Sequence, residues 1–302
     1  MNHTTPEAPL MLGVSGCRGI VGASLTHDVA TRYAGAFAGW LRASLPAAAS
    51  SSRRPRVILA RDGRAGCHMI HAAALAGLTS CGCDVIDLGV AMTPTAGVAT
   101  DARNADAALI LTASHNPQQW NGLKCLVRSP SLAEPAAVDA CAPDAATAAA
   151  IVARFQKNAP ALDAVPWDRL GSIAIDQTAT DTHVDTVIRA LDEIGLAVPT
   201  KDRHYRVVVD SVNGSGAPGA LALLERLGCS EIVQLHGEPS GLFPHTPEPT
   251  RDNLTGLAAA TPEQHGVAGF AQDPDADRLA IIDADGTYIG EEYTLVIGAL
   301  AI

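Results

Sequence analysis

ADAALILTASHNPQQWNGLKCLV, residues 105–127, is the stretch from which the fold can be read. Its opening, ADAALILT (105–112), is small and apolar and predicts a buried strand. The run stops at Thr112-Ala113-Ser114-His115-Asn116-Pro117. An Asn121-Gly122 turn then leads into a second strand, GLKCLV (122–127). A turn needs only Asn, Pro and Gly. Ser114, His115 and Lys124 are surplus to it, so this strand end carries more than a reversal of direction.

Outward from this stretch the same alternation repeats. On the N-terminal side, residues 11–22 read as strand, glycine turn and strand. Residues 26–45 have apolar positions at helical spacing, 56–60 is a strand, 66–80 a helix and 83–89 a strand. Thr93-Pro94 opens a further helix, with the threonine read as its cap. Arg61-Asp62-Gly63-Arg64 reads as a polar turn, and residues 1–10 as a loose tail. On the C-terminal side, 129–166 is rich in Ala, Pro and Asp and reads as closing helices and a connector, helical near 145–157. A second unit follows, with a helix over 181–194 and strands over 206–210, 231–235, 266–272 and 279–283. Residues 289–302 begin a strongly apolar helix. The expected fold is α/β: two consecutive α/β/α layered domains with mixed sheets, over residues 1–165 and 166–285, plus the start of a third over 286–302.

Bulk composition agrees with packed α/β cores. Of 302 residues, 47% are hydrophobic and only 4% aromatic, so the cores must be built from Ala, Val, Leu and Ile. The net charge of −11 is spread along the chain with no basic run, which argues against a nucleic-acid partner. The N-terminus is polar, and no apolar stretch is long enough for a membrane span, so the cytoplasm is the expected location. The 7 cysteines are odd in number and scattered. Cys81-Gly-Cys83 offers a chelating or redox pair, but buried small thiols are the simpler reading.

Asp273-Pro274-Asp275-Ala276-Asp277-Arg278 brings three aspartates into one tight loop. Such carboxylates repel unless a cation joins them, and hard oxygen ligands suit Mg2+ or Ca2+. A solvated Asp-Pro turn is the plain alternative. Three aspartates leave such a cation short of a ligand, which a phosphate oxygen supplies. A phosphorylated Ser114 would provide one and act as a phosphoryl donor. Arg278 suits phosphate contact. His115 and Lys124 have the chemistry to neutralise charge or to move a proton on a sugar hydroxyl.

At this point the chain resembles the α-D-phosphohexomutases. Residues 112–117 with Asn121, Gly122 and Lys124 look like that family's phosphoserine loop, and 273–278 like its metal loop. Ser15-Gly16-Cys17-Arg18-Gly19 looks like its arginine motif, and FPHTPEPTRDNL (243–254) like the segment between the loops. The resemblance covers about residues 11–302. It implies a Mg2+-dependent isomerase that moves phosphate between O1 and O6 of a hexose phosphate, with a hexose 1,6-bisphosphate as intermediate and activator. By the same resemblance Ser114 is phosphocarrier and metal ligand, and Asp273, Asp275 and Asp277 hold the metal. Lys124 is the general acid/base. Arg18 and Arg278 flank the phosphate, and His115 and Asn116 shape the loop. His245 and Glu248 receive no chemical role.

The family's sugar-selecting and phosphate-clamping loops are not found in the sequence, so a C-terminally truncated chain is the expectation. The SGCRGIVG opening (15–22) and the moderate length of the first unit lean towards phosphoglucosamine or phosphomannose as substrate, and oligomeric state stays open. Two other readings compete: a non-catalytic sugar-phosphate or metal-binding fragment, and a Mg2+-dependent phosphatase. The phosphatase reading rests on the DxDGT-like run Asp283-Ala284-Asp285-Gly286-Thr287.

Overall fold

The computed structural model describes residues 9–45, 53–128, 140–157, 163–196 and 204–301. The expected tail, apart from residues 9 and 10, and residues 129–139 and 158–162 of the expected connector lie outside them. Among the described residues the first unit contains β1 (Met11–Gly13), β2 (Gly16–Ile20), α1 (His27–Ser44), β3 (Arg56–Arg61), α2 (Cys67–Ser80) and β4 (Asp84–Val90). It continues with α3 (Thr93–Ala102), β5 (Ala107–Leu111), β6 (Trp120–Arg128), β7 (Ala140–Cys141), α4 (Ala145–Gln156) and β8 (Ile173–Ile175). Its sheet runs β1-β2-β6-β5-β3-β4-β8, with β7 on β6. It is mixed: β5, β3, β4 and β8 are parallel, whereas β6 is antiparallel to both β5 and β2.

Strand periodicity builds the layers. Val57, Leu59, Leu109 and Leu111 enter one buried cluster with Tyr33 and Phe37 of α1 and Ile70 and Leu78 of α2. Their neighbours Ile58, Ala60, Ala108 and Ile110 enter another with Ala96 and Ala99 of α3. Alternate residues of a strand face opposite sides, so one apolar run supplies both cores. Cys81 and Cys83 are buried in the first cluster, and burial pushes the Cys83 thiol upward.

The second unit contains α5 (Ala179–Glu193), β9 (Arg206–Asp210), α6 (Gly216–Arg226), β10 (Glu231–Leu235), α7 (Thr255–Glu263), β11 (Ala268–Gln272), β12 (Leu279–Asp283), β13 (Tyr288–Gly290) and α8 (Glu292–Ala301). Its sheet runs β10-β9-β11-β12-β13 and is also mixed. Two layered α/β units with mixed sheets are thus present, as composition and alternation predict. No helix among the described residues is long and apolar enough to cross a membrane.

Four local readings change. Asn121 and Gly122 are not a turn: they lie inside β6, opposite Gly19 and Arg18, and neither is left-handed. Gly122 is needed for closeness. A Cβ there would lie 2.6 Å from the Cys17 carbonyl oxygen and 2.7 Å from that of Thr112. Thr93 is the first residue of α3 rather than its cap, which is Met92. Residues 173–175 form a strand on the first sheet, beyond the expected boundary at 165. Helix α7, with Pro262 inside it, is not visible from apolar spacing.

Candidate functional site

In open sheets ligands gather beyond the carboxyl ends of parallel strands. Here those ends carry Asp62 after β3, Thr93 after β4, the Ser114 loop after β5, Asp210 on β9 and the 273–278 loop after β11. The two sheets turn these ends towards each other. Ser114 Oγ donates to Asp273 Oδ2 at 2.8 Å, across 159 positions of sequence. Ser114 is 4% exposed, and its φ of +50° lies in the left-handed region. A non-glycine residue there costs on the order of 1 kcal/mol, a strain common at functional sites.

The loop is held by residues that look like an ordinary polar turn in the sequence. Arg64 is completely buried. Its Nε donates to Asp62 Oδ2 at 2.8 Å, Nη1 to the Trp120 carbonyl at 2.8 Å, and Nη2 to the Ser114 carbonyl at 2.5 Å. Asp62 accepts in turn from Thr112 Oγ1 at 2.7 Å, and Thr112 Oγ1 accepts from the Ser114 N–H at 2.8 Å. The Arg64–Asp62 pair therefore fixes both the carbonyl and the amide of Ser114.

Asp273, Asp275 and Asp277 converge, with one oxygen of each within 4.8 Å of the others. Asp273 and Asp275 are fully buried. Burial, then the charges of Asp275 and Asp277, pushes the Asp273 carboxyl well above its usual range. Burial also pushes Asp275 upward. Lys124 and the Thr93 hydroxyl outweigh it and hold Asp275 low. Thr93 Oγ1 donates to Asp275 Oδ2 at 2.6 Å, so the expected cap instead serves this carboxylate. Lys124 Nζ lies 3.0 Å from Asp275 Oδ2 and 2.5 Å from Asp277 Oδ2. Burial works against the lysine's charge, but these two carboxylates prevail and strengthen its hold on a proton.

Asp275 Oδ1 is buried with no hydrogen-bond partner. An uncompensated anionic oxygen in a cluster of hard oxygens fits a small divalent cation. Asp273, Asp275, Asp277 and Ser114 Oγ are the atoms placed to hold it.

Arg278 Nη2 donates to His115 Nδ1 at 2.7 Å. Arginine only donates, so the neutral ring keeps its proton on Nε2. Burial, then the charge of Arg278, lowers the His115 pKa and favours that neutral form. Ser114 Oγ lies 3.3 Å from the same Nδ1. Arg18 Nη1 donates to Asn116 Oδ1 at 3.2 Å, while its Nε is buried without a partner. All nine residues given a role from the sequence lie in this cluster or bond directly to its loop. Arg64, Asp62 and Thr93 were missed.

The competing DxDGT-like run sits elsewhere. It forms the exposed β12–β13 turn, where Asp285 accepts from the Thr287 N–H at 2.9 Å and Asp283 from the Ala284 N–H at 2.7 Å.

The family model described as phosphoglucomutase/phosphomannomutase, alpha/beta/alpha domain I, matches residues 9–149, and that for domain II matches 181–286. A probable phosphoglucosamine mutase of Methanopyrus kandleri is 32% identical, over 94% of this chain and 56% of its own length. A phosphoglucomutase/phosphomannomutase of Thermococcus kodakarensis is 32% identical, over 97% of this chain and 59% of its own length. The crystal structure of a family protein from Burkholderia thailandensis superposes with a TM-score of 0.74 at 29% identity, covering 96% of this chain and 59% of that one. This chain therefore spans just over half the length of the relatives it matches.

Proposed function

The chain belongs to the phosphoglucomutase/phosphomannomutase family, and from that premise we propose that it carries the phosphotransfer centre of a phosphohexomutase. The proposed reaction moves a phosphoryl group between O1 and O6 of a hexose phosphate. A phosphorylated Ser114 loses its phosphoryl group: the Oγ–P bond breaks as a bond forms to a sugar hydroxyl oxygen. The resulting hexose 1,6-bisphosphate reorients and returns its other phosphoryl group to Ser114. Free hexose 1,6-bisphosphate primes the serine. The observation that carries this reading is the 2.8 Å contact between Ser114 Oγ and Asp273, which joins a serine loop of one unit to an acidic loop of the other.

Mg2+ is the proposed cofactor, held by Asp273, Asp275, Asp277 and Ser114; when bound it supplies positive charge to the phosphoryl oxygens. The protein's own groups do the rest. Arg278 and Arg18 bring fixed guanidinium charge to the Ser114 loop, suited to phosphate. His115, kept neutral, and Asn116 hold these arginines in place. Lys124 is the proposed general acid/base for the reacting sugar hydroxyl. Asp275 and Asp277, which accept from its protonated Nζ and stabilise that form, must let Nζ go during turnover. Phosphoglucosamine or phosphomannose is the proposed substrate, in line with the names of the similar relatives.

The test is discharge. Chain phosphorylated on serine is mixed with Mg2+ and with glucosamine, mannose and glucose monophosphates in turn, and phosphorus NMR follows the products. Appearance of a hexose 1,6-bisphosphate supports the reading and identifies the sugar. A phosphorylated chain that passes its group to none of them, or only to water, rejects it.

A further inference from the structure

Beyond the Ser114 site, one other group of metal-ligating side chains converges among the described residues. It comprises Asp210, His236 and His245, with one ligand atom from each lying within 4.8 Å of the others. Asp210 ends β9 with its side chain 3% exposed. His236 directly follows β10, and His245 lies between β10 and α7. His236 Nδ1 is 3.0 Å from Asp210 Oδ2 and 3.1 Å from Oδ1, and His245 Nε2 is 3.1 Å from Oδ2. The Val212 N–H donates to Oδ1 at 2.9 Å.

The His245 ring orientation indicates what belongs between these groups. Its Nδ1 lies 2.9 Å from the Thr246 carbonyl oxygen. A carbonyl only accepts, so Nδ1 carries a proton and Nε2 faces an anionic oxygen. That contact requires positive charge at the ring: a second ring proton, which the Asp210 carboxylate and the Thr246 carbonyl both favour, or a metal ion in that proton's place. An imidazole whose far nitrogen is fixed by a backbone carbonyl is the usual arrangement around a metal-ligating histidine. Two nitrogens and one carboxylate are the donor set of zinc-class ions, unlike the all-oxygen set at 273–277. Metal bonds of about 2.0–2.2 Å place neighbouring ligand atoms slightly farther apart than the separations seen here, so a shift of a few tenths of an ångström admits the ion. The His236 side chain is 37% exposed, which gives an entry path and leaves a fourth position for water.

We propose that Asp210, His236 and His245 form a second metal site, selective for Zn2+ or a similar borderline transition ion and separate from the acidic loop. Its structural consequence follows from the segment it ties down. The Phe243 N–H donates to Gln118 Oε1 at 3.2 Å, the Phe243 ring lies 5.2 Å from the Arg64 guanidinium, and Glu248 approaches Arg278 at 3.7 Å. A metal at Asp210 would clamp this segment against the loop that carries Ser114. The inference does not depend on the proposed reaction.

The test uses the chelator-stripped chain in excess Mg2+, with Zn2+ titrated against a chromogenic chelator and Co2+ as a spectroscopic probe. The expected result is one tight Zn2+ per chain, a four-coordinate Co2+ spectrum, and a Zn2+-dependent rise in Tm. His236→Gln and His245→Gln should each weaken Zn2+ on the order of 100-fold or more, and Asp275→Asn should leave it unchanged. His236→Gln is at an exposed position, so it serves as the reporter if His245→Gln fails to fold. Absence of chelator-competing Zn2+ would overturn the proposal. So would Zn2+ that survives both histidine changes, or that is lost in Asp275→Asn.

Discussion

Arg64 shows most clearly what a residue can hide in a sequence. It occurs in Arg61-Asp62-Gly63-Arg64, a composition typical of an exposed turn, yet it is buried and bonded to partners 50 and 56 positions away. Burial of a charged pair depends on such distant partners, so local composition misses it. Ser114, His115 and Lys124 were legible for the opposite reason: they exceed what their loop needs. Thr93 was legible as a helix start but not as a partner of Asp275, because capping fully accounts for a Thr-Pro pair. Arg64→Met should destabilise the protein by about 3–5 kcal/mol, since it strands a buried carboxylate. Denaturant unfolding would measure this, and a loss under 1 kcal/mol would contradict the role given to the pair. Lys124→Arg keeps a cation beside Asp275 and Asp277 but one that does not deprotonate. Phosphoryl transfer is expected to fall about 10²–10⁴-fold with little change in Tm. Wild-type transfer rates in Lys124→Arg would remove Lys124 from the acid/base role.

At the scale of elements, strands were read well where both faces are apolar and poorly where a glycine had two possible meanings. Asn121-Gly122 has the composition of a turn, but β6 runs through it because Gly122 lets β2 and the Thr112 backbone come close. Gly122→Ala should cost about 1–3 kcal/mol by overpacking, measured as a shift in denaturant midpoint; an unchanged midpoint would contradict the close-approach argument. Strand β8 is only three residues long and α7 contains a proline, so neither carries the periodicity that betrays longer elements. Between α3 and α5, His183 Nδ1 lies 2.9 Å from Thr95 Oγ1. Burial lowers the His183 pKa, so the folded state takes up its proton less readily than the unfolded chain. Its stabilising effect is present above the ordinary imidazole value near 6.5 and is lost as pH falls below it. Thermal melts of His183→Gln should therefore show a shallower loss of Tm on acidification than wild type. Parallel curves would exclude His183 as a source of the acid sensitivity.

At the scale of the molecule, each unit has its own sheet and core, but the site belongs to neither alone. Serine, lysine and threonine come from the first unit and the three carboxylates from the second. The layered α/β architecture followed from alternation and an apolar, aromatic-poor composition. The joining of two loops 159 positions apart did not follow from that alternation; it was read from the chemistry of the two loops and from the family resemblance. The central claim is that this joint site charges Ser114 with a phosphoryl group. The most direct measurement is intact mass followed by phosphopeptide mapping, after incubation with Mg2+ and hexose 1,6-bisphosphates, with Ser114→Ala alongside. The account predicts one phosphoryl group per chain, located on Ser114 and absent from Ser114→Ala. A chain that gains none, or a Ser114→Ala chain that gains as much as wild type, would contradict it.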